Sequence, residues 1–357
     1  MAQVSVIVPV YNVEEFLPEA LESLKAQTLE DIEIVAVDDG STDGSLALLK
    51  RAAEQDTRIV IVSKPNGGLS SARNAGIAAA TSPIVCFLDA DDLLTPDACR
   101  RIADVFEQDA AGGHPLDVLV FGAECLPREA AYPWLTEHLS PRDTVYEPFA
   151  PALLFEEMSL PFSWRLAIRK AFLEETGIAF DEGVAFGEDQ VFGFALYPRA
   201  NRTRLIGDKL YEYRVSRPGS LMDRVAHEPV TKCTEHVKIA RHIFEDGDAQ
   251  GYLHTYAPEM LSWLVEFVGY EALGLPPEDQ LAVLGDLSQL IRDHWTSEEL
   301  HELPLGSGTR AIIGRMVNAE PVSHARARAL QTRYGIERHG LKSAVTSRIG
   351  KLLGRDS

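Results

Sequence analysis

Short apolar runs alternate with amphipathic stretches through the first hundred residues. Val4–Val10, Ile32–Val37, Ile59–Val62 and Ile84–Leu88 are brief, apolar and rich in β-branched residues, as buried strands are. Between the first two, Val13, Phe16, Leu17, Ala20, Leu21 and Leu24 fall on one helical face. Further helices are expected from about Ser41 to Ala53 and from Leu69 to Ala80. Short apolar strands separated by helices predict an α/β fold with a mostly parallel sheet, covered by helices on both faces. Residues 101 to 220 mix short strands and helices. From about 225 the pattern is helical, punctuated by Pro276-Pro277 and by PLGSG at 304 to 308. The expected division is therefore 1–100, 101–220 and 221–357.

Ligands on such sheets bind outside the carboxyl ends of the strands. Those ends carry Pro9-Val10-Tyr11-Asn12, Asp38-Asp39-Gly40-Ser41, Lys64-Pro65-Asn66-Gly67-Gly68 and Asp89-Ala90-Asp91-Asp92. An aromatic, paired acids, a Gly-Gly turn and a carboxylate cluster suit a nucleotide held through a metal. No GxGxxG follows the first strand and no GxxxxGK[ST] occurs, so dinucleotide and P-loop sites are not indicated. Two carboxylates about 5 Å apart repel by roughly 3 kcal/mol at an effective dielectric near 20. Asp89, Asp91 and Asp92 are therefore either a solvated loop or the holders of a divalent cation. In the solvated reading Thr95 caps the next helix and Pro96 takes its first position. A second acidic run, GEDQVF, places Glu188 and Asp189 ahead of an apolar helix.

Charge narrows the choice of partner. The 357 residues carry 34 Lys and Arg against 54 Asp and Glu, a net −20, which opposes general binding to nucleic acid. The imbalance is uneven. From Pro321 to Ser357 eight basic residues face two acids, a local +6, so the remainder carries −26. In that tail Leu341, Val345, Ile349, Leu352 and Leu353 share one helical face, while Lys342, Arg348, Lys351 and Arg355 supply charge around it. Such a helix can lie in a membrane interface, pack on the acidic body or contact a second copy of the chain. The four cysteines, Cys86, Cys99, Cys125 and Cys233, show no CxxC spacing. With no leader pattern and no long apolar run, a cytoplasmic protein is expected, with peripheral contact at the inner face of the membrane under the first reading of the tail.

Five segments in fixed order, VSVIVPVYN, VDDGSTDGS, NGGLSSARNAG, FLDADDLL and GEDQVF, resemble the family 2 glycosyltransferases. The resemblance covers roughly residues 3 to 220. It implies a GT-A (Rossmann-like) fold, a nucleotide-diphosphate sugar donor, uridine by default, Mg²⁺ or Mn²⁺, and inversion at the anomeric carbon. Around the base it places Tyr11 and Asp39, with Asp38 beside them, and it adds Pro9, Asn66 and Gly67 to the residues that bind the nucleotide sugar. It sets Arg73 near the base or diphosphate, Asp89 at the ribose and Asp91 on the metal, with Asp92 as a second ligand. Asp189 takes the part of catalytic base, with Glu188 beside it. The QxxRW pattern of processive members is absent, so addition of one or a few sugars is expected. The acceptor would be a glycan or a lipid-linked glycan precursor.

Each assignment has a plainer counterpart. Glu188 and Asp189 suit any helix N-terminus, Asp38 and Asp39 could cap the following helix, and Arg73 could be a solvated helix residue. Arg214, Arg217 and Ser220 either close over the diphosphate or form a basic surface loop. Trp164 and Trp263 stack on sugars or pack in the core. Two other functions compete: a non-catalytic nucleotide-sugar-binding module, and a haloacid-dehalogenase-like phosphatase. The second is opposed by Leu93 at its Thr/Val position.

Overall fold

The computed structural model describes residues 2–157, 159, 162–215 and 228–352, with 339–352 as backbone only. The chain forms two compact units, Met1–Ser220 and Leu221–Ser357.

The first unit is built on a nine-stranded sheet. Its strands are β1 (Val4–Val10), β2 (Ile32–Asp38), β3 (Ile59–Ser63), β4 (Ile84–Phe87), β5 (Leu93–Leu94), β6 (Val118–Leu126), β7 (Thr144–Tyr146), β8 (Leu166–Arg169) and β9 (Thr203–Arg214). The order is β3-β2-β1-β4-β8-β6-β9-β5, with β7 also paired to β9. β1 to β4, β6 and β9 point one way, and β5, β7 and β8 run against them. The helices are α1 (Leu17–Lys25), α2 (Ser45–Gln55), α3 (Leu69–Ala79), α4 (Ala98–Ala111), α5 (Pro133–His138), α6 (Ala152–Phe155), α7 (Lys170–Thr176) and α8 (Glu188–Leu196).

Every residue of β1 is buried, as a strand covered on both faces requires. β2 flanks it on one side and β4 on the other, in parallel. The strand order therefore reverses between β1 and β4, the switch point outside which ligands bind. α3 lies tight on the sheet. A Cβ at Gly76 would come 2.3 Å from Ile7 Cγ2 and 3.3 Å from Val37 Cγ2.

Two helices start later than the pattern suggests. α2 begins at Ser45 because the preceding N–H groups are already bonded to the loop after β1. Thr42 N donates to Asn12 Oδ1 (2.7 Å) and Gly44 N to Glu14 Oε2. α4 begins at Ala98 with Asp97 at its N-cap position. Thr95 does not cap it: its N–H and hydroxyl both donate to the Leu210 carbonyl, at 3.0 and 3.3 Å.

The second unit is helical, with Pro229–Ala249, Pro277–His294, Ser307–Val317 and His324–Leu352 as its longer members. Val237, Phe244, Leu287, Ile291 and Met316 are in its core. Gln280 is fully buried there; its amide donates to Leu275 O (2.7 Å) and Val322 O (3.0 Å). The tail side chains from Leu341 to Arg355 lie outside the described residues, as do Arg217 and Ser220. All four cysteines are buried and unbridged. Among the described residues no helix is long and apolar enough to cross a membrane.

Candidate active site

The apolar run of β4 ends at Asp89, where the chain makes a tight turn: Asp92 N donates to Asp89 O at 3.0 Å. β9 fixes this turn from the side. The Tyr211 hydroxyl accepts from Asp89 N (3.1 Å) and donates to Asp92 Oδ2 (2.8 Å). Arg214 N donates to Asp92 Oδ1 (2.6 Å), and Arg214 Nε donates to the Asp91 carbonyl (2.8 Å). The rest of the Arg214 guanidinium pairs with Glu19 at 2.6 Å. Arg214 thus holds the turn and is already engaged there.

Asp92 is 2% exposed, and both of its oxygens are taken from within the fold. Burial pushes its carboxyl well above the usual range, and the charges of Asp91 and Asp89 push it further. Asp92 thus faces the fold, held by Tyr211 and by the Arg214 N–H. Among the described residues no group of three or more His, Cys, Asp or Glu could hold a metal ion. Asp91 is half-buried at the sheet's carboxyl edge. Mg²⁺ and Mn²⁺ sites of this sparse kind take one or two carboxylates and complete their shell with water and substrate phosphates, and Asp91 fits such a site.

The second acidic run opens α8. Gly187, at φ +72°, turns the chain into the helix, and acids in that first turn meet the positive end of its dipole. Glu188 is buried and accepts from Arg73 Nη1 at 2.7 Å. Asp189 Oδ2 accepts from Phe162 N (2.9 Å), and its Oδ1 from Gln190 N (2.8 Å). Phe162 sits at φ +81°, unusual for a residue with a side chain. That conformation aims its N–H at Asp189. Burial raises the carboxyls of both Glu188 and Asp189, while the Arg73 charge opposes the rise in each. Raised carboxyl groups are what a general base requires.

Arg73, on α3, joins the two runs. It is 2% exposed and donates to Asp89 Oδ1 through Nη2 at 2.9 Å. Its guanidinium carbon lies 5.2 Å from the centre of the Phe180 ring. Phe180 stacks on Phe192 at 3.9 Å, and Asn74 grips both its N–H (2.9 Å) and its carbonyl (2.8 Å). The guanidinium is enclosed by these groups and reaches the end of β4 through Asp89.

At the far side of the crevice Tyr11 is 49% exposed, whereas Pro9 is buried within β1. Asp38 is buried and accepts from Ser41 N at 3.3 Å. Asp39, also buried, accepts from Lys64 Nζ (2.6 Å), Gly67 N (3.0 Å) and Gly68 N (2.8 Å). Asn66 Nδ2 returns a bond to the Asp39 carbonyl at 3.0 Å. Neither acid caps α2, whose N-cap is Gly44. Gly40, at φ +73°, permits this contact, since a Cβ there would lie 2.8 Å from Asn66 N.

Several residues here were not singled out by sequence reasoning. Tyr211 and Tyr213 point to one face of β9, and the alternation in LYEYR carried that signal. Trp164 is buried, stacked at 4.2 Å on Tyr211 and 5.2 Å on Tyr213, so it is core. Trp263 stacks on Phe267 at 4.7 Å in the second unit. Phe162 and Phe180 left no local pattern; their roles come from contacts across the fold.

Comparison with known proteins agrees with this geometry. Residues 5–146 match the model described as Glycosyl transferase family 2. Over 225 residues the chain is 35% identical to EpsJ of Bacillus subtilis, described as an uncharacterized glycosyltransferase, which covers 62% of this chain and 63% of EpsJ. Over 221 residues it is 32% identical to the minor teichoic acid biosynthesis protein GgaB of the same organism, covering 60% of this chain and 23% of GgaB. The chain thus spans less than two thirds of the length of these relatives. In fold it is similar to Staphylococcus aureus TarS 1-349, solved in complex with UDP-GlcNAc, with a TM-score of 0.70 at 22% identity, covering 95% of this chain and 92% of that one. Residues 5–146 of this chain thus resemble glycosyl transferase family 2 in sequence, and the fold built on them is similar to that of TarS 1-349.

Proposed function

We propose that the chain is an inverting glycosyltransferase that moves a sugar from a nucleotide-diphosphate sugar to a hydroxyl of a cell-surface glycan or its lipid-linked precursor. The observation that carries this reading is Asp189, a half-buried carboxylate fixed by two backbone N–H groups and next to Glu188, whose ion pair with Arg73 leads to Asp89 at the end of β4. In this reading residues 1–100 bind the donor and residues 101–220 supply the base. Tyr11 and Asp39 border the nucleotide base, Asp89 faces the ribose, and Asp91 holds Mg²⁺ or Mn²⁺ against the diphosphate. A uridine donor is supported by the fold shared with TarS, and a glycan acceptor by relatives named for teichoic acid chemistry.

The transfer is a single displacement. Asp189 accepts the proton of the acceptor hydroxyl as its oxygen bonds to the anomeric carbon. The bond from that carbon to the phosphate oxygen breaks with its electron pair, and the nucleoside diphosphate leaves with inversion. When bound, the cation offsets the charge that grows on the leaving phosphate. Phe162 N–H and Gln190 N–H hold the Asp189 carboxylate still, so little reorientation is needed when the proton moves.

The test is release of nucleoside diphosphate from a panel of nucleotide sugars in the presence of Mn²⁺. Turnover that stops in chelator and returns with metal supports the proposal. Tight nucleotide-sugar binding without turnover of any donor would favour a non-catalytic binding module instead. The phosphatase reading is opposed by the placement of Asp89 after the fourth strand and by its ion pair with Arg73.

A further inference from the structure

Arg73 receives acids from two distant parts of the chain, 16 and 115 residues away in sequence. Enclosing a guanidinium with two carboxylates is expensive, and apolar side chains of similar volume would join the same three elements without that penalty. Packing therefore does not account for it; the acids do. The charged groups facing Asp189 are Arg73 from α3, Asp89 from the end of β4 and Glu188 from its own helix. Arg73 is the cation of this set. Without it Asp189 would face two like charges and would hold its proton more tightly.

We propose that Arg73 is a positioning residue that couples the donor end of the sheet to the base, fixing Asp89 and Glu188 in register and keeping Asp189 available in its ionised form. The proposal rests on the functions given to Asp89 and Asp189 above. A guanidinium suits this task because its planar fork engages two carboxylates at once, whereas an ammonium is a single point charge. The prediction that follows is directional: Arg73→Met removes the charge, Arg73→Lys keeps the charge without the fork, and Glu188→Gln removes one opposing acid while leaving Arg73 in place.

The experiment is a carboxyl ¹³C NMR titration of the full chain, with Asp189 assigned by its missing signal in Asp189→Asn. UDP affinity in Mn²⁺ is measured in parallel by calorimetry. In Arg73→Met the Asp189 midpoint should rise by about one pH unit or more. In Arg73→Lys it should stay near wild type while UDP affinity falls several-fold, because Asp89 is no longer held. In Glu188→Gln the midpoint should fall. An unmoved midpoint in a natively folded Arg73→Met protein overturns the proposal. Should that variant not fold, an unmoved midpoint in Glu188→Gln does the same. If the midpoints move as stated but no nucleotide sugar is turned over, the proposed function falls and the coupling stands. Turnover with unmoved midpoints removes the coupling and leaves the proposed function standing.

Discussion

Asp189 and Asp92 are both acids with raised carboxyl groups, yet their surroundings give them opposite work. Asp189 should lose two to four orders of magnitude in transfer on Asp189→Asn, roughly the contribution of a positioned base, with donor affinity near wild type by calorimetry. Its folded form keeps the proton to a higher pH than a free aspartate does. Activity should therefore fall on acidification at a pH above the ordinary aspartate range. The sign for stability is reversed: ionising a group whose folded pKa is raised costs stability as pH rises. The melting point of wild type should thus fall relative to that of Asp189→Asn as pH rises from the free carboxylate value, on top of a pH-independent loss in the variant, whose amide can accept from only one of the Phe162 and Gln190 N–H groups. Asp92 is held by Tyr211 and the Arg214 N–H, contacts that an amide can largely reproduce. Asp92→Asn should keep metal-dependent turnover within about tenfold, while Asp91→Asn should lose about a hundredfold or more, since Asp91 is the carboxylate proposed above to hold the cation. Equal losses in the two variants would return Asp92 to the metal site.

α3 has to lie close to the sheet for Arg73 to reach Asp89, and Gly76, one turn later, is what allows it. Gly76→Val should cost about 1–3 kcal/mol through overpacking against Ile7 and Val37. A thermal melt would show that loss, and turnover should drop further than the melt alone explains, because the displaced helix carries Arg73. The strands, helices and acid runs of this first half were legible because periodicity and strand-end composition are local properties. The positions of Asp91 after a strand and of Asp189 in the first turn of a helix could be read for the same reason. The ion pair of Arg73 with Glu188 was not legible, since the two are 115 residues apart. The burial of Asp92 was missed for a related reason: its direction is set by β9, which no pattern around residue 92 encodes. The later starts of α2 and α4 came from long-range bonds to Asn12, Glu14 and Leu210 that outcompete local helix propensity.

For the molecule as a whole, the sparse donor set makes metal and nucleotide mutually dependent. Mn²⁺ binding followed by electron paramagnetic resonance should be weak in the protein alone and should tighten strongly when UDP is added, because phosphate oxygens complete the shell. Tight Mn²⁺ binding without nucleotide would mean that further protein ligands exist. The first unit holds every residue given a part in this site, so a chain ending at Ser220 should retain that linkage if it folds alone. The same unit carries a second dependence over its working cycle. Asp39 is already fully engaged by Lys64, Gly67 and Gly68. A base that claims this carboxylate must release the turn it secures. Nucleotide binding should then speed hydrogen exchange at the Gly67 and Gly68 amides even as it slows exchange elsewhere. Part of the donor's affinity should then go into opening that turn.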